Sequence, residues 1–561
     1  MKTRFLALFN SFKQLVKEKP LMVILTALCY ISIIIIFILG FKELSDRLQF
    51  ELSEIASCDA NLFFTVGKAM AKGYRPYIDF YENKPPMIFI VSALSYLMTG
   101  GFYLVNVSSF LCCINLLIAP IGIGIVMAIK RKWNMFSTSL VILLLFTFSL
   151  FLLFYAEQRS GETMCEIFGA SALMDAIFVV SFLPKDKKVH FYNPLIIVSG
   201  LFFAIAVMFK EPFVILGIFA YLFLVENRKD LLNKVVYPTL YAVLMVFLIL
   251  LISKSLVGYF SIYLPNMLFH HVNEGNSLFD RAKDFMKLFY DLNEFSMYLM
   301  IGVALTILLS TFRAIKMFED EQKPVLRIIF VVIRIILPYL YVFVASLSVG
   351  MGGQYFWHHF AFALPLYYSL LIDSSLFIGD NVNQLNFYPF KKENGKPAVN
   401  EFTNPLVLLS LVTTLTVTIF TGYGIKKHEY KMKTEEMKGY VERAKRGAKY
   451  VDDILTAINK KEYLYIGFNG TDKFYCYTKY LPMGPTFVQD PDNFKEENFF
   501  TKSFLEDLNK ADLIVFTSSN DLIIKEEITN KLNNDFTLTA PEVVNNIQKP
   551  EDFYYTIYFR K

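Results

Sequence analysis

Several signals that would make the chain easy to place are missing. Its six cysteines are scattered and no two form a CxxC pair, so it carries no dithiol motif. Neither GxGxxG nor GxxxxGK[ST] occurs, which removes the sequence basis for a nucleotide site. No repeat of 20–50 residues is evident, so a solenoid or propeller is not indicated. Charge is also sparse, at 19% of residues. No cleavable signal is read, because the first apolar run (21–39) is long and Gly40-Phe41-Lys42 is a poor cleavage site.

What is present is apolar surface. The 561 residues are 55% hydrophobic and 16% aromatic, with a mean hydropathy of +0.43. A soluble protein of this composition would aggregate. Repeated runs near the roughly 20-residue bilayer span predict a polytopic membrane protein. The net charge of +5 comes largely from Lys and Arg beside the apolar runs, so it marks topology and implies no nucleic-acid partner. Lys2, Arg4, Lys13, Lys17 and Lys19 place the N-terminus inside. Spans are predicted near 21–39, 102–129, 135–154, 164–183, 194–209, 212–225, 235–253, 296–312, 328–350, 360–377 and 405–423. That is about eleven. Inner loops carry Lys130-Arg131-Lys132, Arg313 and Lys316, and Lys391 and Lys392. Residues 254–295, with His270 and His271, form a second large outer loop.

After Lys426 the composition changes. Helical patterns (431–458, 522–532) alternate with strand patterns (463–468, 513–517, 553–559), predicting a small α/β domain outside the membrane. The expected fold is therefore mainly α: a polytopic helix bundle, N-in and C-out. Residues 1–424 form the membrane module, with a large outer loop at 41–101. Residues 425–561 form an extracytoplasmic α/β domain.

One stretch stands apart. Residues 59–86, DANLFFTVGKAMAKGYRPYIDFYENKPP, pack acids, cations and rings between membrane-length runs. A helix over 59–72 is predicted, then a loop punctuated by Gly73 and stopped at Pro85-Pro86. An amphipathic surface helix explains part of this pattern. It leaves Asp59 and the Glu82-Asn83-Lys84 cluster at the two ends without a reason. Arg75 and Lys84 are kept outside against the charge bias, which points to a ligand. Residues 87–98 are too short to span and read as a second helix of the same loop.

Other candidates follow the same logic. Glu157, Glu162 and Glu166 flank the next outer loop, where a carboxylate can act as a general base or simply mark a helix start. Lys210 interrupts an apolar run. It either pairs with neighbouring Glu211 or forms a cationic floor for an anionic head group. His358 and His359, beside Tyr355-Phe356-Trp357, could donate to a phosphate or bind a divalent metal, a weak signal without ligand spacing. No cofactor is otherwise indicated. Asp175, inside a span, is a cavity or helix-pairing residue. Cys29, Cys112 and Cys113 read as small core residues, and Cys58 and Cys476 could both face an oxidising side.

Taken in order, Asp59, GYRPYIDFYENKPP (73–86), the outer-loop glutamates, GLFFAIAVMFKEP (200–212) and GGQYFWHHFAFALPLY (352–367) resemble the GT-C superfamily of polytopic glycosyltransferases. The likeness is to relatives of protein O-mannosyltransferases and of the bacterial lipid A aminoarabinose transferase, over roughly 21–423 judged by motif order. In the latter, Glu directly precedes Lys-Pro-Pro; here Asn83 stands between Glu82 and Lys84. The resemblance implies transfer of a sugar from a polyprenyl-phosphate carrier to an extracytoplasmic acceptor. It implies Asp59 as the catalytic acid of the first outer loop, with Glu166 or Glu162 as the second. Lys84 would contact the donor phosphate, with Lys210 and His358 or His359 assisting. Arg75, Tyr77 and Glu82 belong to the same substrate-binding block.

Elementary chemistry fits that reading. A lipid-phosphate sugar is already activated, so the protein needs a base for the acceptor, cations for the departing phosphate and a slot for the lipid. Two alternatives compete. A transporter or flippase would use a helix broken near Lys210 and the intramembrane Asp175. A non-catalytic assembly partner would retain the fold alone.

Overall fold

The structure is a computed structural model of the chain. It describes residues 14, 16–52, 58–160, 165–184, 187, 189–268, 277, 279–280, 283, 294–317, 324–350, 357–385, 404–428, 434–466, 474–484, 487, 499–517 and 526–561. The architecture is a mainly α bundle followed by a small α/β sheet region.

Among the described residues, seven helices are long and apolar enough to cross a membrane. They coincide with seven of the eleven predicted spans. The other four predicted spans are helical too. They are Cys165–Ser181, Pro194–Phe209, Phe213–Leu222 and Pro324–Gly350, of which the first three have 17, 16 and 10 residues. The bundle is organised around the Met135–Ser160 helix. It packs against Pro20–Leu52, Tyr103–Arg131, Leu364–Val382 and Pro405–Lys427. Four of its polar positions, Ser137, Ser139, Thr147 and Ser149, are small and fully buried. Small hydroxyl residues allow helices to approach closely where neighbouring lipid offers no hydrophobic drive. The outer helices show the reverse face. Ile24, Leu28, Ile31, Ile35 and Ile38 are exposed on one, and Leu408, Val412, Leu415 and Ile419 on another. Apolar surface on that scale is stable only under hydrocarbon.

One end of the bundle holds an ionic network that is buried around Asp373, Arg313 and Arg334 and more open at Arg131 and Asp380. Arg131 meets Glu226 and Asp380, and Arg313 meets Glu226 at 2.5 Å and also Asp373. Arg334 meets the same Asp373 and donates to the carbonyls of Leu222 and Phe223 at 3.1 and 2.8 Å. The Trp133 indole donates to Asp380 at 2.9 Å. Arg131 and Arg313, expected as inner-loop charges that mark topology, are thus also ion-paired between helices. The network ties four helices and the turn after Leu222 to one another.

The opening stretch forms the Cys58–Ala71 helix and, after the Gly73 turn, the Met87–Thr99 helix. The two lie side by side because Gly67 faces Ser92 and Ala93. A Cβ at position 67 would sit 2.4 Å from the Ser92 Cβ and 2.6 Å from the Ala93 nitrogen. Gly67→Ala therefore pushes the helices apart. The expected cost is about 1–3 kcal/mol, read as a lowered thermal midpoint of the purified chain.

The C-terminal region carries a five-stranded sheet of order β2-β1-β3-β5-β4. Its strands are β1 (Glu462–Ile466), β2 (Leu481–Pro482), β3 (Leu513–Thr517), β4 (Phe536–Thr537) and β5 (Tyr555–Arg560). β1 runs parallel to β2 and β3, and β5 antiparallel to β3 and β4. Helices Thr434–Ala457, Phe499–Lys510 and Glu526–Asp535 accompany it. Strands β1, β3 and β5 match the expected ones, whereas the Phe499–Lys510 helix was not read from the sequence.

This region shares a core with the opening helix. Ala60, Phe64 and Phe102 pack with Val451, Phe474, Tyr475 and Cys476. Lys68 donates to the Thr478 carbonyl, and Lys72 to that of Lys479 at 3.0 Å. The Cys476 thiol donates to Asn61 Oδ1 at 3.3 Å; the Cys58 side chain lies outside the described residues. Burial, then the charge of Lys72, pushes the Lys68 ammonium down to about 8. The folded form then holds fewer protons than the unfolded chain between pH 8 and the ordinary lysine value of about 10.4. Stability from this group rises with pH across that window and is lost as pH falls through 8. The thermal midpoint of wild type should gain on that of Lys68→Met as pH rises from about 8 to about 10.

Candidate active site

Three separate elements converge on one carboxylate. Glu166 sits in the first turn of the Cys165–Ser181 helix and is 1% exposed. Lys210 caps the Pro194–Phe209 helix with extended backbone, because Pro212 follows and the helix cannot run on. Its ammonium lies 2.5 Å from Glu166 Oε1 and 5.2 Å from the Phe362 ring centre. His359, in the 3-10 turn Trp357–Ala363, places Nε2 3.9 Å from the same oxygen. Glu166, Lys210 and His359 were expected at the site separately, and the fold brings them together.

Lys210 does not pair with its sequence neighbour. Glu211 is instead bonded by the Tyr263 hydroxyl, on a helical segment far along the chain. Tyr263 leads back to the opening stretch. Its ring lies 4.8 Å from that of Tyr77 and 5.0 Å from that of Tyr259. Tyr77 is buried and has a φ of 64°, unusual for a residue with a side chain. Such a conformation costs about 1–3 kcal/mol and persists where surroundings over-determine it. Here the ring is held among Phe89, Tyr259 and Tyr263, and its hydroxyl donates to the Lys84 carbonyl at 2.7 Å. The strained turn therefore pins the backbone at Lys84. The Lys84 ammonium lies 5.8 Å over the Phe63 ring, one helical turn after position 59. Lys84 and Lys210 both lie within electrostatic reach of Glu211. Tyr81, near Glu82 and Lys84, donates to Asn83 Oδ1 at 3.0 Å, and Asn266 donates to its hydroxyl.

Other expected residues fall elsewhere. Arg75 is not brought to this cluster: it is 52% exposed and ion-paired with Asp79 at 2.9 Å. Its side-chain bond to Asp79 holds that carboxyl below the ordinary range. Asp175 is a helix-pairing residue, accepting from Asn115 at 3.0 Å. Position 59 is in the first turn of its helix, but the Asp59 side chain, like those of Glu157 and His358, lies outside the described residues. So do Glu162, His270 and His271. Among the described residues, no group of three or more His, Cys, Asp or Glu could hold a metal.

The cluster can do specific chemistry. Two lysines near the buried Glu166 and the half-buried Glu211 form a site where a bound anion replaces or shares the carboxylate partner of a cation. An ion pair out of water is costly unless its geometry serves it, and its cation is then poised for an incoming phosphate. Sequence reasoning missed Glu211 and Tyr263 as members. Glu211 was visible as a charge breaking an apolar run, whereas Tyr263 had no signal apart from its outer loop.

No protein-family model matches the sequence, and no curated protein does. Solved structures do. ArnT from Cupriavidus metallidurans bound to undecaprenyl phosphate is similar at 12% identity and a TM-score of 0.44, over 96% of this chain and 97% of that one. Its apo state gives 13% and 0.43, over 91% and 96%. The oligosaccharyltransferase AglB from Archaeoglobus fulgidus, in complex with an inhibitory peptide and a dolichol-phosphate, gives 11% and 0.40, over 84% and 69%.

Proposed function

We propose that the chain is an integral membrane glycosyltransferase that moves a sugar from a polyprenyl-phosphate carrier to an extracytoplasmic acceptor, with inversion at the anomeric carbon. The observation that carries this reading is the convergence of Lys210 and His359 on buried Glu166, beside a strained turn that pins the backbone at Lys84.

In this reading Lys84 and Lys210 receive the donor phosphate and stabilise it as it leaves with the electron pair of the C1–O bond. Preorganised cations act most strongly where water is excluded. His359 supplies a further donor. Asp59 takes the proton of the acceptor hydroxyl as its oxygen bonds to C1. Glu166 holds Lys210 in place before the donor arrives and acts as the second acid. Direct attack on C1 inverts its configuration. The Tyr77, Tyr81 and Tyr263 rings wall the site, and the lipid tail leaves along the apolar helices.

The test is transfer of labelled sugar from polyprenyl-phosphate donors in membranes holding wild type or Asp59→Asn at matched expression. Wild type should transfer and the variant should not. Equal transfer by both would remove Asp59 from the mechanism.

A further inference from the structure

A cleft of about 790 Å³ lies between the opening stretch and the C-terminal sheet, and none of the roles above uses it. One wall is Tyr74, Asp79 and Tyr96; the other is the edge strand β2 with the turns on either side of it, including Tyr480 and Phe487. Pro482, in that edge strand, has no N–H to offer, so β2 is poorly suited to pair with an incoming strand. Recognition here falls to side chains.

Those side chains are rings and cations. Lys72, Lys461, Lys479 and Lys510 line the cleft and are exposed. Three carboxylates oppose them: Asp79, Glu462 and Asp507. Asp79 is already neutralised by Arg75. Burial pushes the Asp507 carboxyl up to about 6, which weakens its opposition on the acid side of neutrality. The Lys479 ammonium stands 5.3 Å from the Tyr480 ring centre, so one ring and one charge face the cleft together. Asp452 accepts the backbone N–H groups of Lys479 and Tyr480, which pins that turn. Flat rings beside ammonium groups suit a sugar ring carrying an acidic substituent: the ring faces bind the apolar side of the sugar, and the lysines bind its carboxylate or phosphate.

The cleft also adjoins the turn that carries two residues of the candidate active site. Phe487 lines it and packs on Phe80 at 5.7 Å between ring centres, and Asp79 and Phe80 belong to the turn that carries Tyr77 and Lys84. We infer that this cleft holds an anionic glycan, the part of the acceptor that lies beyond the reacting hydroxyl. Binding of the glycan stands on the cleft itself; its standing as the acceptor rests on the transferase reading.

The experiment is calorimetric titration of the purified full chain with tetragalacturonate, maltotetraose and inorganic phosphate. It is repeated with the Lys461→Glu/Lys510→Glu variant, and labelled-sugar transfer is measured for both proteins. Tetragalacturonate should bind saturably, and the double charge reversal should weaken it by about tenfold or more. Maltotetraose and phosphate should each bind more weakly, since each supplies half of the recognition. Equal binding of maltotetraose, equal binding of phosphate, no binding of tetragalacturonate, or indifference to the charge reversal would each overturn the inference. The two readings fail separately. Tetragalacturonate binding without any sugar transfer would sink only the transferase reading. Transfer that proceeds unchanged in the charge-reversed variant would sink only the acceptor role of the cleft.

Discussion

On the proposed transferase reading, Glu166→Gln is expected to lower sugar transfer by about 10²–10⁴-fold, the range for loss of a group that acts on charge or protons in the transition state. Glutamine keeps the shape of the side chain but removes its charge, and Lys210 loses the carboxylate 2.5 Å away. A purely structural ion pair would give a different pattern across a double-mutant cycle. If Glu166 only neutralised Lys210, the double variant Glu166→Gln/Lys210→Met would bury no net charge and would recover most of the activity. If the pair handles the donor phosphate, the double variant stays inactive. Activity and thermal midpoint measured on all four proteins separate the two: the expected result is recovered stability without recovered transfer.

Asp373→Asn is the largest stability change expected. Asp373 is fully buried and meets both Arg313 and Arg334. Removing one partner of a buried ionic cluster costs about 3–5 kcal/mol, because the remaining charge has no water to return to. Here two guanidiniums lose a shared partner. Arg334→Met should cost less, since Asp373 keeps Arg313 and only the carbonyls of Leu222 and Phe223 lose their donor. Thermal midpoints in one detergent should fall in that order. An Asp373→Asn protein as stable as wild type would mean that the network is incidental to the bundle.

The helices were legible because period and length are local. The predicted 59–72 helix appears as Cys58–Ala71, and the break at Lys210-Glu211-Pro212 falls where proline chemistry puts it. Partners were not legible where the chain separates them. Glu166 and Lys210 lie 44 residues apart, and Glu211 and Tyr263 lie 52 apart. The trivial partner of Lys210 was Glu211, and extended backbone at Lys210 turns the two away from each other. The ionic network had a usable signal. Arg334 and Asp373 are single charges in apolar runs, which marks a buried pair or a cavity. Docking of the C-terminal region on the opening helix had none, because Lys68 and Lys72 also fit an amphipathic helix on a membrane surface. Their true partners are backbone carbonyls more than 400 residues away, and nothing in a sequence identifies a carbonyl as an acceptor.

The measurement closest to the central claim uses proteoliposomes containing only the purified chain, a polyprenyl-phosphate donor with labelled sugar and a candidate acceptor. The fate of the sugar and the leaflet position of the lipid are read in the same sample. A transferase frees polyprenyl phosphate and moves the label onto a product of inverted anomeric configuration, and both outcomes disappear with Asp59→Asn. Intact donor that changes leaflet only when the protein is present would contradict the account and make the chain a flippase.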